Sequence, residues 1–144
     1  MQMLIAVVLG VPIVDLLVKI MLRRALHARV VSLGPLGSLR IVAAPLWLAR
    51  YGWSTHGGVV WALWAVAAGI LMIAAASMPS LQTFAGLILG GALSNALESS
   101  WRGLVSDYIC LKFWPAFNLA DVAITIGAVG LIVKIMAAVQ SAAV

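Results

Sequence analysis

Apolar residues gather into four long runs, at roughly 2–22, 57–76, 81–97 and 117–139. Each is close to the ~20 residues that cross a bilayer as a helix, so the pattern predicts four transmembrane helices. The third run is the shortest, and a tight turn at "SMPSLQ", broken by Pro79, joins it to the second. Two interruptions, 23–56 and 98–116, hold most of the polar residues. In the first, "RVVSLGPLGSLRIVAAPLWLARYGW" alternates β-branched residues with Gly-Pro turn signals and predicts a small strand-rich cap, not a fifth helix. Four crossings place both interruptions on one membrane face, opposite the two termini. The first run lacks a basic leader segment, carries Asp15 and Lys19 and is long enough to span, so it is expected to be a retained helix. Nothing repeats internally, and residues 1–144 are expected to form one integral membrane domain, all-α apart from the cap.

Composition sharpens this picture. The chain is 65% hydrophobic and 9% charged, with a mean hydropathy of +1.16, which excludes a soluble domain of this size. Six Trp fit the aromatic belt of a membrane protein. The single Cys110 has no partner for an internal disulfide and reads as a small apolar filler, with His27 and His56 in no context that makes either its base. The net charge of +5, with Arg23, Arg24, Arg29, Arg40 and Arg50 all in the first interruption, suggests contact with anionic lipid head groups. No basic run is interleaved with stacking aromatics, so no nucleic-acid partner is expected. By charge alone, the Arg-rich face would lie in the cytoplasm.

Only four acids occur: Asp15, Glu98, Asp107 and Asp121. Asp15 falls about two turns before the end of the first run, Glu98 ends the third, Asp107 follows in the short interruption, and Asp121 opens the fourth. All four therefore lie near one membrane face. Each has a structural explanation. Asp15 and Lys19 are spaced i,i+4 in the order that pairs well on a helix, Glu98 can terminate a helix at the interface, and Asp121 can complement a helix N-terminus. The functional alternative is a pair of carboxylates in a partly dry pocket. Asp107 and Asp121, unable to ionise together cheaply, would share a proton. The ionised member would then take a proton from water while the other polarises a scissile carbonyl. No His/Cys/Glu cluster with metal spacing and no Ser-His or Cys-His arrangement competes, so no metal and no cofactor are expected.

The stretch "GGALSNALESSWRGLVSDYICLKFWPAFNLADVAITIG" resembles the C-terminal half of lipoprotein signal peptidase, or signal peptidase II. That family carries a pattern like G-G-A-x-G-N-x-x-D-R-x-x-x-G-x-V-x-D-[FY]-I, followed by F-P-x-F-N-x-A-D. Asn95, Gly103, Val105, Asp107, Tyr108 and Ile109 match the first block; Trp114, Pro115, Phe117, Asn118, Ala120 and Asp121 match the second. "VDLLVK" adds an Asp and a Lys four apart, at Asp15 and Lys19. The resemblance implies a membrane aspartic endopeptidase that removes the signal peptide of a prolipoprotein just before its diacylglyceryl-modified Cys. It implies that Asp107 and Asp121 are the catalytic dyad, that Asn95 and Asn118 position substrate or dyad, and that Asp15 and Lys19 support the site. Glu98, Arg102 and Ala120 join this supporting set. The cap becomes a β-cradle that grips the peptide. The resemblance also turns the active-site face outward, to the extracytoplasmic side of a bacterial inner membrane, against the charge rule. The partners implied are the lipidated prolipoprotein and membrane lipid, with the enzyme acting as a monomer.

The departures fall among positions expected to contact substrate. The family's Asp-Arg pair is Glu98-Ser99 here, with Arg102 one turn on as a substitute. The Gly before the first Asn is Ser94, and the cradle's N-x-G-x-A-F block has no counterpart in "RIVAAPLWL". Three readings compete: a divergent peptidase, a non-catalytic paralogue acting as a binding or accessory subunit, and a small transporter or channel subunit. The last needs acids near the bilayer midplane on broken helices, which this pattern does not offer. Gly86-x-x-x-Gly90 permits close helix contact, within the chain or between copies.

Overall fold

A computed structural model describes residues 1–26, 29–44 and 57–142. Four long helices run through it: α1 (Gln2–Leu26), α2 (Gly57–Ser77), α3 (Gln82–Arg102) and α4 (Leu119–Ala142). A three-stranded antiparallel sheet, β1 (Val31–Ser32), β2 (Gly37–Ala44) and β3 (Val105–Leu111), has the order β1-β2-β3. A 3₁₀ turn at Pro79–Leu81 makes the expected tight link between α2 and α3. The readings placed on 45–56, including those on Arg50 and His56, and on His27 lie outside the described residues.

α1, α2 and α4 are each long and apolar enough to cross a membrane. Their outward faces carry exposed Leu, Ile, Val and Met, such as Leu9, Ile13, Ile70, Ile73, Ile132 and Val133, as expected of surfaces bathed in lipid. α3 does not reach that hydropathy, because it packs against all three other helices and touches protein where they touch lipid. Apart from Leu89, its buried positions are small or polar: Ala85, Gly86, Gly90, Gly91, Ser94, Ala96 and Glu98. The glycines set the spacing. A Cβ on Gly90 would stand 2.9 Å from Val11 Cβ, and one on Gly91 would stand 2.8 Å from Ile124 Cγ1. Gly86 likewise meets Val7. The Gly86/Gly90 pair therefore serves contact with α1 inside the chain.

Two boundaries differ from the sequence pattern. α1 continues to Leu26 and α3 to Arg102, so Asp15 lies about three turns from its helix end and Glu98 sits one turn inside α3 instead of ending it. Arginines at both ends explain the extension. They favour a helix C-terminus through its dipole, although hydropathy reads them as a break. α3 stops at Gly103, whose φ of 72° is left-handed and whose N–H caps Ser99 O.

The sheet is the strand-rich cap, but it takes two strands from the first interruption and one from the second. β3, read from sequence only as loop, is its third member. Val42 pairs with Asp107, Ala43 with Ser106 and Leu39 with Ile109, with a bulge on β2 between Leu39 and Val42. Along β3, Ser106, Tyr108 and Cys110 are buried while Asp107, Ile109 and Leu111 are half-buried, the alternation of a strand with two unlike faces.

Candidate active site

The site forms where β3 meets the start of α4. The first turn of a helix has N–H groups without intrahelical partners, and each of those in α4 finds one. Leu119 N donates to Tyr108 Oη at 3.0 Å, Ala120 N to Asp15 Oδ1 at 3.1 Å, and Asp121 N to Asn118 Oδ1 at 3.0 Å. Asn118 N donates in return to Asp121 Oδ2 at 3.1 Å. Asn118 and Asp121 thus make a reciprocal capping box, the Asn at the N-cap and the Asp three residues on. That box holds Asp121 at the helix mouth.

Asn118 is fully buried and reaches both acids. Its Nδ2 donates to Asp107 Oδ1 at 2.8 Å and to Asn95 Oδ1 at 3.3 Å. Asn95 Nδ2 donates to Asp121 Oδ1 at 2.9 Å. The two aspartates therefore belong to one hydrogen-bonded group with two asparagines between them. Burial, and after it the charge of Asp121, pushes the Asp107 carboxyl up to about 6. Burial pushes the Tyr108 phenol up to about 12, so it stays protonated against the helix start.

Beneath this group lies a buried charge cluster. Lys19 and Asp15 are fully buried and pair at 2.8 Å, as their spacing predicts. Asp15 also accepts from Ser94 Oγ at 2.6 Å. Ser94 therefore supplies a donor to a buried carboxylate. Lys19 Nζ makes two further contacts, to Glu98 Oε2 and Asn95 Oδ1, each at 3.0 Å. Glu98 takes Arg23 at 2.6 Å, Arg102 at 3.2 Å, and both the N–H and hydroxyl of Ser106. No buried side-chain N or O atom is left without a partner among the described residues.

The structure brings Asp15, Lys19, Asn95, Glu98, Arg102, Asn118, Ala120 and Asp121 together with Asp107. Ala120 contributes its backbone N–H and a buried methyl. Sequence reasoning gave no site role to Ser94, Ser106 or the Tyr108 hydroxyl, and gave Arg23 only a contact with lipid head groups, whereas the structure pairs it with Glu98. Tyr108 stood in the matched motif; the other three gave no local signal, since their partners lie 75 or more residues away or on another element.

Asp121 also lines two apolar grooves. One, about 400 Å³, runs along α4 past Trp114, Phe117 and Ile126. The other, about 360 Å³, lies between α2, α3 and α4, with Trp64, Ala92, Asn95 and Ile124 in its walls. Trp64 is fixed there by a 3.1 Å hydrogen bond from Nε1 to Leu89 O. Exposed Trp101, Phe113 and Trp114 lie at the same end of the bundle, where an aromatic belt is expected.

The sequence profile of signal peptidase (SPase) II matches residues 7–137, nearly the whole chain. The chain belongs to the signal peptidase II family. Among curated relatives, the lipoprotein signal peptidase of Rhodococcus jostii is 33% identical over 112 residues, covering 70% of this chain and 54% of that protein. That of Nitratidesulfovibrio vulgaris is 40% identical over 93 residues, 56% of each chain. That of Syntrophomonas wolfei is 47% identical over 51 residues, 35% of this chain and 34% of its own. The matched segments thus span about a third to just over half of these signal peptidases' length. The fold is also that of a bacterial membrane enzyme solved by the in meso method at 2.3 Å, with a TM-score of 0.80 at 18% identity over 98% of this chain and 92% of the other. A second such structure, at 1.9 Å, gives 0.79 at 19%, over 94% and 93%.

Proposed function

We propose that this signal peptidase II family member is an aspartic endopeptidase that cleaves a lipidated prolipoprotein before its diacylglyceryl-modified Cys, with Asp107 and Asp121 as its dyad. The observation that carries this reading is the Asn118 bridge, which ties one aspartate on a strand to the other on a helix. Asp107, held up to about 6, carries the shared proton. Asp121, with N–H donors on both oxygens, is the ionised member. Asp121 takes a proton from a water between the pair as that water attacks the scissile carbonyl carbon. Asp107 gives its proton to the carbonyl oxygen, forming a neutral gem-diol. Collapse breaks the C–N bond: a proton moves from Asp121 to the leaving nitrogen, and a gem-diol hydroxyl returns one to Asp107.

The apolar grooves beside Asp121 support a substrate whose flanking parts are a membrane helix and acyl chains. The enzyme is read as acting as a monomer. The active-site end is assigned to the extracytoplasmic side of a bacterial inner membrane. In the test, purified protein is incubated with diacylglyceryl-modified and unmodified precursor, and the products are weighed by mass spectrometry. Cleavage N-terminal to the modified Cys, in the modified precursor only, is expected. Equal cleavage of both precursors, or none of either, contradicts the assignment.

A second reading, an accessory subunit on the same fold, draws on Ser99 in place of the family's Arg. It predicts failure to rescue a strain depleted of its own signal peptidase II.

A further inference from the structure

We infer that Glu98 is a positioning residue for both members of the dyad, acting on Asp107 through Ser106 and on Asp121 through Lys19 and Asn95. This rests on the dyad assignment above and adds a device that sets its geometry.

The first arm runs into β3. Glu98 Oε2 accepts from Ser106 N at 3.0 Å and Oε1 from Ser106 Oγ at 2.7 Å, so one buried carboxylate grips both backbone and side chain of the residue before Asp107. Successive strand residues face opposite sides. Fixing Ser106 inward therefore fixes Asp107 outward, toward Asn118. The second arm runs to α4. Lys19 is a donor only, with three N–H groups, and it uses them on Asp15, Glu98 and Asn95. A cation at Asn95 Oδ1 dictates which end of that amide faces Asp121: the oxygen turns to Lys19, leaving Nδ2 for the carboxylate at 2.9 Å. Glu98 and Asp15 are the counter-charges that hold the ammonium in place. Five donors converge on Glu98, more than the roughly four lone-pair sites of a carboxylate. That exceeds what anchoring one helix end needs, and it joins α1, α3 and β3 at a single point.

Among the described residues, the charged groups around the dyad are Asp15, Lys19 and Arg23 from α1, Glu98 and Arg102 from α3, and each aspartate to the other. Tyr108 on β3 is a further titratable neighbour. Replacing Glu98 by Gln leaves Lys19 less compensated beside Asn95, so the Asp107 titration should move to lower pH. E98D keeps the charge with a shorter reach, and S106A removes the hydroxyl's contacts with Glu98, Arg23 and Arg102 while leaving the Glu98 charge and the backbone contact from Ser106 N intact.

The test compares wild type, E98Q, E98D and S106A in detergent, by cleavage of the lipidated precursor across pH and by carboxyl ¹³C titration of Asp107. S106A is expected to lose about tenfold in kcat with KM within about twofold, as a small misplacement of a reacting group does, and with an unshifted titration. E98Q should lose more than S106A and shift the titration to lower pH; E98D should restore the titration but only part of kcat. Wild-type kcat in both S106A and E98D overturns the inference, as does a loss that tracks only the folded fraction. If wild type cleaves nothing, the peptidase reading fails alone, and the Asp107 titration in E98Q and E98D still decides the role of Glu98.

Discussion

Asp107 is costly to ionise where it stands, because burial and the charge of Asp121 both oppose it. A carboxyl raised from 3.8 to about 6 binds its proton more tightly folded than unfolded. Stability from this group is therefore full below about pH 4 and is lost as pH rises through about 6. D107N removes that loss while keeping an Oδ1 acceptor for Asn118. Its melting temperature should exceed wild type at pH 8 and match or fall below it at pH 4, as scanning fluorimetry in detergent would show. An equal difference at both values would mean that Asp107 is not strained by ionisation. At this scale much was legible. Only four acids exist, and their positions alone placed them at one face. Their partners were not, because Ser94 and Asp15, or Glu98 and Arg23, meet only once helices far apart in sequence pack together.

At the scale of elements, α4 owes its start to side chains from four places: Tyr108, Asp15, Asn118 and Asp121 itself. N118A should cost about 1 kcal/mol as a lost cap, and should also cut cleavage far more than a cap alone explains, since it severs the bridge to Asp107. Comparing denaturant midpoints with kcat separates the two; a proportional loss would reduce Asn118 to a cap. The α1–α3 contact depends on Gly90, and G90V should destabilise by about 1–3 kcal/mol through overpacking, read as a lower unfolding temperature. An unchanged value would mean the helices are not in contact there. Hydrophobic runs predicted these helices well but stopped short at their arginine-bearing ends. β3 escaped notice because it is only seven residues long, and its pairing partner lies about sixty to seventy-five residues earlier.

The whole molecule arranges three lipid-facing helices around a fourth that is less apolar because it is enclosed. A small sheet sits over the end where all four acids meet. Composition and run length were enough to read the membrane class. Orientation was not, since the arginines point one way by charge and the family resemblance points the other. With Cys110 replaced by Ser, a cysteine at exposed Ser32 should react with a membrane-impermeant maleimide added to intact cells. Labelling only after lysis would place the sheet in the cytoplasm. The central claim, that the two linked aspartates perform hydrolysis, is tested most directly by single-turnover cleavage of the lipidated precursor with wild type, D107N and D121N at matched folded fractions. Cleavage by wild type and a loss of at least about a thousandfold in each variant is predicted; cleavage that persists in either variant contradicts the dyad.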